Sequence, residues 1–355
     1  MIRNRSGLIR FCGALAGLAL ALLAGAQAPN PASPTAAPLT EMRIVERVHA
    51  ATDRGLEYLR RKQRPDGGWA NNHAINGLAL LAFMGRGHVP GRGPYKDVLE
   101  KGKKYLLATA NPGTGFVAFG SMYEHGLATL ALAELYGMDP DPQLEEKLRK
   151  AVDLIVKCQS PAGGWRYSPT PTDQDLSVSV MQIVALRAAN NAEIPVPAAT
   201  IERAIKYVRS CSAPAGGFGY QGPAQGPQTS AAGILSLQLL GQYNDPTIPK
   251  ALEYVATIPI QWQGGGPQYF YYFHYYAIQA MYQSGGKHWN DWHPRIRELL
   301  LERQNLKDPK ADDYGSWDVP PGTAEAGVDP NKCHSTAMAC LVLDIYMHYL
   351  PAYQR

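Results

Sequence analysis

Two kinds of apolar segment alternate along this chain. The first kind is amphipathic and covers residues 44–62, 96–107, 144–157, 199–209, 249–255 and 293–304. Its apolar residues recur at helical spacing, as in Leu148, Val152 and Ile155, with lysine and glutamate between them. That pattern predicts helices with one face in water. The second kind covers residues 77–83, 126–132, 177–183, 231–237, 277–281 and 335–343 and is nearly uncharged. Helices that are small or apolar all round are buried ones. Six wet and six dry helices in alternation predict an all-α fold, a single (α/α)6 toroid in which inner helices are ringed by outer ones. Strict hairpins reverse direction at each turn, so all inner helices run the same way and their positive dipole ends gather at one end of the ring.

A glycine-rich turn separates the two members of each pair. It reads Gln63-Arg-Pro-Asp-Gly-Gly-Trp69 and Gln159-Ser-Pro-Ala-Gly-Gly-Trp165 in its strongest forms. Weaker forms are Gly113-Thr-Gly-Phe116, Ser212-Ala-Pro-Ala-Gly-Gly-Phe218 and Gly315-Ser-Trp317, with a degenerate member around Gln261–Gly266. A period near fifty residues is the mark of a solenoid or a closed ring.

The ends read differently. Arg3, Arg5 and Arg10, an apolar run from Phe11 to Leu23 and Ala24-Gly-Ala26 predict a signal peptide over residues 1–26 and export to the periplasm or cell envelope. An uncleaved anchor is the alternative. A Pro/Ala-rich linker over residues 27–42 follows, then the toroid over residues 43–355. The leader's three arginines supply three of the four net positive charges. The remainder has no electrostatic footprint for nucleic acid. Beyond the leader stand Cys158, Cys211, Cys333 and Cys340. Cys158 and Cys211 fall at equivalent places in neighbouring repeats, and Cys333 and Cys340 lie two turns apart on one helix, so free buried thiols are expected.

Candidate chemistry sits where the inner helices begin. Aligning them places Asn76, His125, Asp175, Thr229, His274 and His334 in register. Asparagine, aspartate and threonine cap helices well; histidine does not, which points the three histidines towards function. Asp173 and Asp175 stand together at one helix start, an arrangement that serves a general acid or an ordinary acidic cap. The run Tyr269–Tyr276 offers Tyr271, Tyr272 and Tyr275 as cavity lining, and Trp165 joins them as a substrate-binding candidate.

The Gln-x3-Gly-x-Trp turns, with Gly55 and Leu59 ahead of Gln63, resemble the repeat signature of the terpenoid cyclase and protein prenyltransferase α/α-toroid superfamily. Within it the chain looks most like exported bacterial prenyltransferase/squalene oxidase repeat proteins. Squalene-hopene-type cyclases protonate substrate with the middle Asp of Asp-x-Asp-Asp-Thr-Ala-Val-Val. The matching stretch here is Asp173-Gln-Asp175-Leu-Ser-Val-Ser-Val180, with Leu176 for the last Asp. The resemblance therefore implies an isoprenoid or other apolar substrate, Asp175 as proton donor, and peripheral membrane association as an option. Prenyltransferase β subunits hold zinc with Asp-x-Cys and a later His. By that likeness His274 and His334 would bind Zn, joined by His125 or Asp173, although Tyr272 takes the place of the Asp. A non-catalytic toroid binding a ligand or protein at the rim is the remaining reading. No Ser-His-Asp ordering, phosphate loop or His-Glu-x-x-His appears, which leaves the common hydrolase and nucleotide classes without support.

Overall fold

A computed structural model describes residues 37–345. The leader expected over residues 1–26 lies outside the described residues. Among those described, twelve helices follow one another with no strand. The outer set is α1 (Ala37–Lys62), α3 (Lys96–Thr109), α5 (Pro142–Lys157), α7 (Ala198–Ser210), α9 (Ile248–Ala256) and α11 (Gly286–Arg303). The inner set is α2 (His73–Gly85), α4 (Met122–Met138), α6 (Leu176–Asn191), α8 (Pro227–Leu239), α10 (Phe270–Ser284) and α12 (Cys333–Leu343). The fold is the expected all-α toroid. Two boundaries differ: α1 begins inside the expected linker, and α11 starts before its apolar pattern and carries Pro294 within it. None of the described helices is long and apolar enough to cross a membrane.

Arg43–Arg355 form one compact unit. In it α2, α4, α6, α8, α10 and α12 each pack on the next, and α12 packs back on α2. The outer helices bury one stripe, such as Leu144, Leu148, Val152 and Ile155 of α5. Every residue of α2 is buried. Local signals set the ends: Asp141 caps α5 ahead of Pro142, and Asn72 caps α2 through Ala74 N and Ile75 N. The four cysteines are buried and free.

The glycine-rich turn is a three-way staple between neighbouring hairpins. Gln63 Nε2 donates to Gly67 O at 2.9 Å and to Val98 O of α3 at 3.0 Å. Gln159 Nε2 repeats this to Gly163 O and to Thr200 O of α7, both at 2.9 Å. The indole nitrogens of Trp69, Trp165 and Trp317 each donate 2.7 Å bonds back to their own outer helix, at Leu59 O, Ile155 O and Leu300 O. Gly163, at φ +102°, lies so close to α7 that a Cβ would stand 2.2 Å from Arg203 O. In the last repeat Gln304 Nε2 reaches Gly315 O at 2.9 Å and Ala51 O of α1 at 2.8 Å. The sixth hairpin is therefore stapled to the first, and the ring is closed.

Candidate functional site

The staple explains most polar residues at the inner-helix starts. Five of the six turns present a backbone N–H at one residue, and a side chain one turn into the inner helix accepts it. Asn76 Oδ1 takes Trp69 N at 2.7 Å, and His125 Nδ1 takes Val117 N at 3.0 Å. Ser179 takes Trp165 N at 2.9 Å, Ser230 takes Phe218 N at 2.8 Å, and Thr336 takes Trp317 N at 3.2 Å. The structural register is thus Asn76, His125, Ser179, Ser230 and Thr336, and Val117 rather than Phe116 holds the tryptophan's place. The expected ring of six does not form, because alignment on an alanine slipped Asp175, Thr229 and His334 towards the helix start.

Several expected site residues are accordingly engaged by the fold. Asn76 is fully engaged by its turn, since its Nδ2 also donates to Ala70 O at 3.0 Å. His125 has its other ring nitrogen 3.1 Å from Ala151 O, and burial lowers it to about 4. Thr229 donates to Phe218 O at 2.7 Å. Trp165 is buried in the staple, and Tyr271 donates to Asp318 O at 2.6 Å.

The zinc set is not assembled either. His274 sits among Phe270, Phe273 and Trp292, at centroid distances of 4.5, 5.0 and 5.8 Å, with neither ring nitrogen bonded. Burial, then Arg295, lowers it to about 3. His334 receives its cap from Asp329, whose Oδ2 accepts the His334 N–H at 2.9 Å, and burial lowers the ring to about 4. Among the described residues no three His, Cys, Asp or Glu side chains converge on a metal position. The residues present do not fit zinc.

The mouth, where the inner helices start, does bring candidates together. Asp175 is fully buried and caps α6: its Oδ1 accepts Val178 N at 2.8 Å and Ser177 Oγ at 2.6 Å. Its Oδ2 has no hydrogen bond of normal length. Arg166 Nε stands 3.6 Å from that oxygen and 3.4 Å from Asp173 Oδ2. The Arg166 guanidinium lies over the rings of Tyr167 and Tyr220, 5.4 and 5.6 Å from their centroids. The two hydroxyls meet at 2.9 Å. Burial, then the Tyr167 bond and the Asp175 charge, raise the Tyr220 phenol.

Below the mouth, tyrosines cross the lumen. Tyr272 reaches from α10 to Ser177 O of α6 at 3.4 Å, and Tyr276 OH meets Met181 Sδ at 3.0 Å. Burial, then neighbouring Tyr123 and Asp175, raise Tyr272 well above an ordinary phenol. Tyr275 packs edge-on to Tyr276 at 4.9 Å. Glu325, from the loop before α12, accepts Tyr271 N and Tyr272 N at 3.0 and 2.9 Å and so caps α10. Sequence reasoning missed Tyr123, Tyr167, Tyr220 and Glu325. The two rim tyrosines were findable, because each stands four residues after a turn glycine, Gly163 or Gly216.

Comparison with known proteins agrees with this architecture. The type II terpene cyclase MstE from Scytonema superposes with a TM-score of 0.61 at 14% identity, covering 87% of this chain and 99% of that one. The α-1,6-mannanase GH76A of Salegentibacter sp. HEL1_6 gives 0.62 at 13% identity, covering 84% and 99%. At such identities the likeness is one of fold. Drimenyl diphosphate synthase from Streptomyces showdoensis is 27% identical over 239 residues, 65% of this chain and 40% of that protein. This chain thus matches well under half of that relative's length. The prenyltransferase alpha-alpha toroid domain matches residues 68–266, more than half of the chain. The chain belongs to the prenyltransferase alpha-alpha toroid family.

Proposed function

We propose that the chain is an exported toroid that acts on an isoprenoid or similarly apolar lipid, with Asp175 as the proton donor to an alkene. The observation that carries this is the state of the Asp175 carboxyl. One oxygen is fixed by the α6 N-terminus and Ser177, while the other is buried and lacks a normal hydrogen bond. A general acid needs one oxygen held and the other turned to the substrate in a dry place. Tyr272 and Tyr276 beneath it supply ring faces suited to a developing cation. The similarity to drimenyl diphosphate synthase supports the substrate class. A lipid of this kind resides in membranes, which fits export by the leader and peripheral membrane association.

The test is incubation with squalene and with farnesyl diphosphate in D2O, followed by mass spectrometry of the products. A cyclic product carrying one deuterium is expected from the wild type and none from Asp175→Asn. Equal turnover by that variant removes Asp175 from the chemistry. A second reading, binding without catalysis, is favoured by the same two tyrosines, which narrow the lumen by crossing it to α6. It predicts no product from either substrate and lipid retention that survives Asp175→Asn.

A further inference from the structure

The rim carries a feature that proton transfer does not use. Four residues after the turn glycines Gly115, Gly163 and Gly216 stand Phe119, Tyr167 and Tyr220, the same station in three consecutive repeats. All three are exposed, at 57%, 44% and 40%, in a molecule whose other aromatic rings are mostly buried. Their backbone is held fast. Tyr167 O and Tyr220 O accept the first N–H of the neighbouring inner helices, Met122 N and Leu176 N, both at 2.8 Å. Phe119 packs edge-on against His73 at 4.4 Å. Rigid, exposed rings repeated at one station form a ledge.

We propose that this ledge binds a saccharide, with Phe119, Tyr167 and Tyr220 as stacking surfaces and Arg166, Asp173 and Asp175 as hydroxyl partners. The polar groups between the rings decide the class of ligand. Asp175 Oδ2 and Arg166 Nη1 are buried and without normal hydrogen bonds, and the Asp173 side chain is half exposed beside them. A hydrocarbon laid here would cover the Arg166–Asp173–Asp175 ion cluster and leave Asp175 Oδ2 and Arg166 Nη1 still without a hydrogen bond. A sugar hydroxyl donates to a carboxylate and accepts from a guanidinium at once, while its C–H faces lie on the rings. Phosphate is disfavoured, because two carboxylates outweigh the one arginine, and a nucleic-acid strand needs the opposite sign. Neighbouring inner helices are spaced by about 10 Å, so contact with all three rings requires an extended oligosaccharide rather than a single sugar. The proposal goes beyond the cyclase-like reading and does not require Asp175 to be an acid.

The experiment applies the mature protein to an array of immobilised neutral and acidic oligosaccharides, then measures the best retained glycan by titration calorimetry. Both ring residues are exposed, so Tyr167→Ala and Tyr220→Ala should fold, with Glu146→Gln on α5 as a control. The wild type and control should retain a glycan, and each tyrosine variant should bind it about fivefold to tenfold more weakly. Asp173→Asn should weaken it further without changing the melting temperature. No retained glycan overturns the proposal, and so does undiminished retention by the Tyr167→Ala/Tyr220→Ala double variant. Binding only to phosphatidylcholine vesicles, lost in that double variant, also overturns it and makes the ledge a membrane contact. Because the readout is binding, absence of turnover with prenyl substrates leaves this result separate.

Discussion

Replacing Gln304 with leucine tests whether the toroid is a closed ring in energy as well as in shape. Gln304 is buried, and its Nε2 is the donor to Ala51 O and Gly315 O. Its Oε1 accepts from Arg54 Nε and Nη2 at 3.1 and 3.0 Å. Leucine preserves the volume and leaves Gly315 O without a donor, at about 1–3 kcal/mol, while Ala51 O inside α1 keeps its helical donor and loses only its second bond, at about 1 kcal/mol. Arg54 is partly exposed and can turn to water, so its share is small. The expected loss is about 3 kcal/mol, or roughly 6 °C in Tm at about 2 °C per kcal/mol for a domain of this size. Gln159→Leu removes the same two bonds in mid-chain, to Gly163 O and Thr200 O. In a closed ring the two variants should fall by similar amounts, each in one calorimetric transition. In an open solenoid the terminal hairpin would detach alone. Calorimetry with hydrogen exchange on α1 separates these cases. The reasoning is refuted by a Gln304→Leu Tm within a degree of wild type, with faster exchange confined to α1.

Three further outcomes follow from buried groups. Asp344, at the C-terminal end of α12, is buried with no hydrogen bond of normal length to either oxygen, and burial raises it well above an ordinary carboxyl. Its contribution is intact below the unfolded value near pH 4 and is lost as pH rises through the higher folded value. Asp344→Asn should therefore stabilise the protein at pH 8 and not at pH 4, and parallel urea curves at both would contradict this. His274 is shifted the other way, to about 3. The stability it contributes is present above pH 6.5 and falls as pH drops, by about 2 kcal/mol between pH 7 and pH 5. His274→Phe should flatten that part of the pH profile, whereas a Tm collapse at neutral pH would show that the ring has a partner it needs. Gly163→Ala combines a positive φ with a Cβ driven into Arg203 O. It should cost more than about 3 kcal/mol, and a Tm unchanged within error would count against the close approach.

The fold was legible because it is written several times over. Alternating wet and dry helices and a recurring Gln-x3-Gly-x-Trp turn carry the same information in each repeat, so one degenerate member, at Gln261–Gly266, could not hide it. The site was less legible because side-chain register within an inner helix shifts where the chain needs it. Asn76 and His125 sit on the fourth residue of their helices, and so do Ser179, Ser230 and Thr336. An alignment by residue type chose Asp175, Thr229 and His334, which are polar but one place to one turn early. Histidine was over-read for a related reason. His125 accepts one backbone N–H and so substitutes for asparagine, a role that its titratable chemistry disguises.

That substitution rule bears on where chemistry can reside. A polar residue at the staple position is accounted for by the backbone N–H it accepts, whether it is Asn, His, Ser or Thr. In the third hairpin Ser179 discharges that duty, with its hydroxyl also bonded to Asp175 O at 2.6 Å. Asp175 is thereby released from the staple and needs only one carboxyl oxygen for the helix cap. Its second oxygen, with Arg166 at 3.6 Å and no normal hydrogen bond, is left over in the geometry of the fold. A buried carboxylate oxygen with no hydrogen bond of normal length costs up to about 1–3 kcal/mol, and Asp175→Asn would keep the Oδ1 cap while placing an amide where that oxygen is. If the oxygen serves only the fold, through Arg166, this variant should lose stability, with ligand binding and turnover unchanged. If it serves a ligand, the same variant should gain stability and lose function together. Measured side by side, Tm and ligand retention of Asp175→Asn therefore separate a residue kept for architecture from one kept for chemistry.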